Sequence, residues 1–478
     1  MPVSAHDNTE PSVPTSAEAG VAPVAGAQST AGSQSPATFD AIVVGAGPAG
    51  TSAALALARG GAKVLLLERG AYPGAKNMFG GMTAYCPAPE QLVPGFWERA
   101  PWERAVTKRV LTVTSGTSST SLVFQAASES DRPAVGTGSY SDRSLTGFTL
   151  FRPRFDRWYA EQAVAQGVTL LTGCRVEGLW VEKGAVRGVR VTGPDDIIEA
   201  PLVIACDGTL SLLAQEAGLH GGRKTGQVAL GVRALYAHTE EGLNERFGLR
   251  GREGATHELL GCTRGVRGGG FVYTQTDTVS VGIVVHLDSL VARGIPPDEL
   301  LEDFVASPAV AHLLRGARLV EYSAHLLPEA GVKMVPRLAT AGLLVAGDAA
   351  GLCYTNGLIQ EGMNLAMASG LVAGRVGAAA LAVGDVSASG LARYGKELRR
   401  SFVFRDLATW GRAIDFMHHD RVFTVYPRVV GVFMEEVFRS NGLPKSRILG
   451  LGRRAAKDAL PVRQLLADMY KAGRAFLW

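Results

Sequence analysis

Cysteine is scarce and dispersed in this chain. The five cysteines, Cys86, Cys174, Cys206, Cys262 and Cys353, form no CxxC pair within 478 residues. That argues against a disulfide framework or a thiolate zinc site and fits a reducing cytoplasm. Charge of one sign is also lacking. A net charge of +4 is too small for its length to suggest a nucleic-acid partner, and the excess of arginine over lysine reads as coding bias rather than an anion-binding surface. Long apolar runs are missing too, because Arg, Asp or Gly interrupts them before the roughly eighteen residues that a bilayer span needs. Residues 1–37, a Ser/Ala/Pro/Gly tract, lack both the basic start and the apolar core of a secretory signal and are expected to be a disordered tail. No internal repeat is present. The length suffices for two or three domains around a large core.

What the chain does have is glycine in a particular order. Residues 40–68, DAIVVGAGPAGTSAALALARGGAKVLLLE, read as strand, turn, helix and strand. A β-branched run at 39–44 runs into Gly45, Gly47 and Gly50 at GxGxxG spacing, which suits a loop that cradles a dinucleotide pyrophosphate. Gly45 permits the tight turn, Gly47 lets the backbone approach phosphate, and Gly50 lets the following helix, 49–59, pack close to the sheet. A second strand, 63–67, ends at Glu68, placed to accept hydrogen bonds from an adenosine ribose. The candidate contacts on this unit are Gly45, Gly47, Pro48, Ala49, Gly50, Glu68 and Arg69.

A second signature lies far down the chain. The strand expected at 343–345 leads into AGDAAGLCYTNGLIQEGMNLAMASG. Asp348, just past the strand, can bond a ribityl hydroxyl, and Gly347 leaves room for the cofactor; the plainer reading is that Asp348 caps a helix. A helix is expected from Leu358, with Leu365, Met367, Leu371 and Val372 on an apolar face. If its start points at a flavin ring, its backbone donors stabilise the charge that collects there on reduction and raise the potential. Residues 151–164 read as an amphipathic helix introduced by Arg152, within reach of a pyrophosphate or ribityl chain. Residues 203–211 read as a strand ending at Asp207 and Gly208.

Taken in order, GAGPAG with Glu68, GAKNMFGG, the Arg152 helix, Asp207–Gly208, EYSAHLLPEAG, AGDAAG, EGMNLAMASG and FTVYP resemble the electron-transfer flavoprotein:quinone oxidoreductases. Their FixC-type branch is the most similar, and the likeness runs from about Phe39 to the C-terminus. The resemblance implies an α/β fold: a Rossmann-like, glutathione-reductase-like FAD-binding domain, an inserted antiparallel-sheet domain for substrate or quinone, and a C-terminal helical region. It implies FAD as cofactor, held also by Lys76, Asn77, Val176 and the flavin-side residues Gly80, Gly81, Gly362, Met363 and Asn364. Its implied partners are the α and β subunits of an electron-transfer flavoprotein and a quinone, with a membrane-surface contact on the inner face of the cell membrane. Longer family members carry a [4Fe–4S] segment that needs four clustered thiolates. No cysteine follows Cys353, so a separate ferredoxin-like [4Fe–4S] subunit is the expected partner for electron exit. The segments expected for FAD binding are 38–110, 151–220 and 331–385. Those for the sheet domain are 111–150 and 221–330, and the helical region is 386–478.

Other residues invite plainer readings. Cys86 and Cys353 read as buried thiols rather than a redox pair. His418 and His419 are adjacent on a helix and do not share a face, and His325 reads as a satisfied core histidine. No Ser/His/Asp constellation is apparent, so the flavin carries the chemistry. Between 226 and 287 the chain alternates as strands, with a hairpin turn at Thr276–Asp277–Thr278. Phe402, Phe404, Trp410, Phe416 and Phe423 read as core. Near the C-terminus Leu466, Met469, Tyr470, Gly473 and Leu477 fall on one helical face. It can rest on a membrane or a partner, although packing onto the protein's own core is the commoner fate. Competing activities on the same fold are an FAD monooxygenase or a geranylgeranyl-reductase-like enzyme using NAD(P)H, and an electron-relay subunit without turnover of its own.

Overall fold

The structure is a computed structural model that describes residues 38–76, 81–116, 118–126, 147–192, 196–357, 359–442, 444, 446–457 and 459–477. Four short runs, Ala41–Val44, Val64–Leu67, Leu202–Ala205 and Leu343–Val345, are buried at every position. Apolar runs covered on both faces suit a parallel sheet. They form the middle of a six-stranded sheet in the order Ala339–Thr340, Leu343–Val345, Leu202–Ala205, Ala41–Val44, Val64–Leu67, Thr169–Leu171. All its pairs are parallel except the first, Ala339–Thr340 with Leu343–Val345. A three-stranded antiparallel sheet, Val176–Glu182, Ala185–Val191 and Ile197–Glu199, flanks it.

The larger, nine-stranded sheet holds the hairpin Gly268–Thr274 and Thr278–His286, flanked by Val228–Ala237 and Arg318–Pro328 on one side. On the other side Glu253–Leu260 pairs in parallel with Arg104–Thr114. The boundary expected between 110 and 111 falls inside that strand, so it needs correction: the larger sheet takes up the chain from Arg104. Its short edge strand Gly81–Thr83 comes from still earlier in the chain, pairing with Phe148–Leu150.

The helix Pro48–Arg59 starts with proline in its first turn, where a missing N–H costs nothing. Against it lies the long helix Met363–Ala382. A Cβ at Gly370 would come within 2.1 Å of Ala49 O, and one at Gly374 within 2.3 Å of Ala53 O. The two backbones therefore touch where any side chain would separate them. The most apolar stretch of the long helix has a mean hydropathy of 1.5, enough by length and composition to cross a bilayer, yet 72% of that stretch is buried inside the fold. It begins at Met363 rather than at the expected 358, because Gln360–Glu361 first pairs with Tyr354–Thr355 as a hairpin.

The last helix, Val462–Phe476, departs from expectation. Leu466, Met469 and Tyr470 are about 60% exposed and Leu477 is 77% exposed. The buried side instead carries Asp468, Gly473 and Ala475. Asp468 accepts two 2.7 Å bonds from the Arg421 guanidinium and one of 2.6 Å from Tyr426 Oη, and this polar anchor turns the apolar residues outward. Of the aromatic cluster, Phe423 is buried, and Phe402, Phe404, Trp410 and Phe416 are half-buried.

Replacing Gly374 by Ala should lower the thermal midpoint, with a cost of about 1–3 kcal/mol from overpacking. The control Gly452→Ala, in a helix with open space around it, should leave the midpoint unchanged or raise it. Differential scanning calorimetry checks the opposite signs.

Candidate functional site

The glycine loop after Ala41–Val44 is shaped by three close approaches. Gly45 has φ +98°, a left-handed conformation suited to glycine, and a Cβ there would lie 2.4 Å from Cys206 O. A Cβ at Gly50 would lie 1.8 Å from Gly45 O, whereas at Gly47 the nearest atom is Arg152 Nη2, 3.6 Å away. The loop is thus closed against its own fold at Gly45 and Gly50 and open toward a guanidinium at Gly47. No side chain caps the helix that starts there, so the amides of Ala49 and Gly50 are free to meet an anion. Glu68 braces the loop: Oε2 accepts from Ala46 N (3.1 Å) and Oε1 from Gly70 N (2.7 Å). Cys174 N donates to Glu68 O (2.9 Å), which brings the start of the small sheet at Val176 beside the same strand end.

Arg152 opens the helix Arg152–Ala165, which is fixed by buried Phe155 and Tyr159. Tyr159 Oη lies 2.8 Å from Ser52 Oγ on the first helix. Arg152 donates twice to Asp156, at 2.8 Å each. Burial works against its charge, but Asp156 in contact, with Asp348 and Glu68 further off, more than offsets this and holds it cationic. Arg69 and Lys76 are exposed, and Gly81 lies in a strand with open space beside it. Asn77 and Gly80 lie outside the described residues.

The second set of residues gathers at the ends of the neighbouring strands. Gly347 has φ +65°, and a Cβ there would meet Ala49 Cβ at 2.7 Å. Glycine here therefore lets the first helix approach. Asp348 is half-buried, and its carboxylate has no hydrogen-bond partner among the described residues. Burial pushes its carboxyl upward, opposed by Arg152 and Arg223. Asp207 accepts from Leu213 N (3.1 Å) through Oδ2, while Oδ1 is buried without a partner; Gly208 follows it in open space. A Cβ at Gly362 would sit 3.8 Å from Asp348 Oδ1. The long helix begins there uncapped at Met363. Asn364 donates to Glu361 Oε2 (2.7 Å) and leaves its Oδ1 buried and unpaired.

Sequence reasoning missed Arg223, which sits in an aperiodic Gly-rich loop. It donates to the carbonyls of Thr209 (3.3 Å), Met334 (2.9 Å) and Ala349 (2.7 Å), tying together three loops around Asp348. Cys86 is a buried thiol pushed up to about 12 by burial, with Sγ 3.6 Å from Asn364 O. His325 is not the satisfied core histidine expected. Its ring has no hydrogen-bond partner among the described residues, and burial, then Arg152 and Arg69, push it down to about 4.

Free amides at two helix starts, a guanidinium beside one of them, an unpartnered carboxylate and an unpaired amide oxygen suit a ligand with phosphates, a polyol chain and a polar ring. A cleft of this kind at the strand ends of a Rossmann sheet fits FAD, and the fold and site define an FAD-dependent oxidoreductase. A model of the FAD dependent oxidoreductase family matches residues 40–238, and one of the ETF-QO/FixC family C-terminal domain matches residues 413–477. The chain is 39% identical over 438 residues to the probable electron transfer flavoprotein-quinone oxidoreductase YdiS of Escherichia coli, covering 91% of this chain and 99% of that one. It is 40% identical over 423 residues to FixC of Escherichia coli, covering 87% and 95%. The chain belongs to the ETF-QO/FixC family of FAD oxidoreductases that act in electron transfer. Among solved structures, a geranylgeranyl bacteriochlorophyll reductase-like protein from Thermoplasma acidophilum covers 90% of this chain and 99% of that one. Its TM-score is 0.65 at 20% identity, a likeness of fold alone.

Asp348→Asn removes a charge that nothing among the described residues pairs directly. The apoprotein should keep or slightly raise its thermal midpoint, while FAD affinity falls by roughly ten-fold or more as a charge-assisted bond is lost. Calorimetric titration of apoprotein with FAD measures it; unchanged affinity contradicts the role of Asp348.

Proposed function

We propose that the chain accepts electrons from the α and β subunits of a reduced electron-transfer flavoprotein and passes them toward the quinone pool. A separate ferredoxin-like [4Fe–4S] subunit serves the exit side. The alignment with YdiS over 99% of that protein's length carries the reading. The dispersal of the five cysteines through the chain supports a cluster housed elsewhere. FAD supplies the electron chemistry when bound. The chain would hold it by Ala49, Gly50 and Arg152 at the pyrophosphate and by Glu68, with Val176 nearby, at the ribose. Asp348 would hold the ribityl chain and Met363 and Asn364 the ring edge, while Lys76, Asn77, Gly80 and Gly81 would cover the ring. The free amides at the start of the long helix would favour negative charge there and raise the potential.

The outward apolar face supports a membrane-surface contact on the inner face of the cell membrane. Ile448 and Leu449 are exposed on the helix Ile448–Lys457, as are Leu466, Met469 and Tyr470 on the last helix. Exposed basic residues, Arg453, Arg463 and Lys471, lie on the same two helices and suit anionic headgroups. An apolar cavity of about 290 Å³, lined by Val113, Leu260, Phe416, Val422 and Tyr426 among others, shares Met469 with this face.

Stopped-flow mixing of the FAD-loaded chain with reduced electron-transfer flavoprotein, NADH or NADPH tests the reading. Rapid loss of flavin absorbance with the flavoprotein and not with either nicotinamide is expected. Fast reduction by NADPH alone would transfer the protein to monooxygenase- or reductase-type chemistry.

A further inference from the structure

Beside the redox end of the site lies a carboxylic acid that no Arg or Lys among the described residues neutralises. Glu329 follows the strand Arg318–Pro328, and its amide donates to Gln227 O (2.9 Å). Its side chain is 11% exposed. It accepts a hydrogen bond from Gln360 Nε2, which also reaches Cys353 Sγ at 3.4 Å. Cys353 Sγ in turn lies 3.9 Å from where a Gly362 side chain would begin. This flank of Glu329 thus leads within two side chains to the start of the long helix.

The opposite flank leads outward. His286 Nε2 is 3.8 Å from Glu329 Oε1, too long for a hydrogen bond, so direct transfer between them requires a side chain to move. The His286 ring meets the His418 ring at 4.7 Å between centroids, inclined at 70°. His286 Nδ1 is buried without a hydrogen-bond partner among the described residues. His418 is half-buried, its Nδ1 2.8 Å from Ile414 O. Arg267 closes the outer end, donating to His418 O and Asp420 and pairing with Asp288. The groups around the line are therefore Cys353 and Asp348 inside, and Arg267, Asp288 and Asp420 outside.

We propose that Glu329, His286 and His418 form a proton relay between the protein surface and the redox end of the site. Burial pushes Glu329 up to about 8, and burial, then His418 and Arg267, push His286 down to about 3. At neutral pH a neutral acid thus faces a neutral imidazole, one holding a proton and the other able to receive one. The inference rests on the quinone reading. Reduction of a quinone to its hydroquinone adds two electrons, supplied by the electron donor, and two protons. As each quinone O–H bond forms, the Glu329 O–H bond breaks, and a proton from solvent passes through His418 and His286 to restore the acid.

The tests use the full chain with FAD. Infrared pH titration should show a protonated-carboxyl band at pH 7 that converts to carboxylate near pH 8 and is missing in Glu329→Gln. A Glu329 already ionised at pH 7 overturns the relay. Ferricyanide takes electrons without protons, so Glu329→Gln should reduce it at the wild-type rate while reducing a water-soluble quinone roughly 100-fold more slowly. His418→Gln, at the outer end, should show the same selective slowing. Equal slowing with both acceptors, or none, overturns the relay in favour of a structural role. If the wild type reduces ferricyanide but no quinone even with the ferredoxin-like subunit added, the quinone reading fails on its own, and the infrared band still decides whether Glu329 holds a proton.

Discussion

The constraint on which the cleft depends is the contact between two helix backbones. Gly370 and Gly374 bring the long helix onto Ala49 O and Ala53 O of the first helix, and Gly347 lets the turn between them close onto Ala49. No side chain fits in these gaps, so the two helices are locked in one relative position. Their uncapped starts, at Gly47 and Gly362, consequently open onto the same cleft from two strand ends of one sheet. One start meets Arg152; the other meets Asp348 and Asn364. The catalytic capacity of the protein follows from that pairing of backbone donors, because flavin chemistry asks the chain chiefly to bind, orient and tune.

Electrostatics in the cleft are arranged around the ligand rather than within the chain. Arg152 is held cationic by Asp156, which would otherwise be a buried unpaired acid, and Arg223 spends its donors on three carbonyls that shape the loops. Asp348, Asn364 Oδ1 and the amides at the helix starts are left for something else to satisfy. Buried polar groups are seldom left without partners in a folded protein, and such a cluster at strand ends marks a ligand site. Glu329 extends the same pattern one layer outward, where the missing partner is a proton.

Legibility in the sequence followed locality. The GxGxxG unit and the strand Leu343–Val345 were readable because strand, turn and helix are contiguous and each glycine has a local reason. The hairpin at Thr276–Asp277–Thr278 was readable from alternation and turn residues. The parallel pairing of Glu253–Leu260 with Arg104–Thr114 was not, because nothing in either strand names a partner about 150 residues away. The late start of the long helix came from a two-residue hairpin too short to leave a periodic signal. The outward turn of the last helix depends on Arg421 reaching Asp468 from 47 residues away, and Arg223 and Glu329 draw their character from burial that tertiary packing alone creates.

Hydrogen–deuterium exchange of the full chain, with and without FAD, tests the central claim that two helix starts serve one cofactor. FAD should slow exchange at the amides of both 45–51 and 362–366 together. Protection confined to 45–51, with 362–366 unchanged, would contradict it.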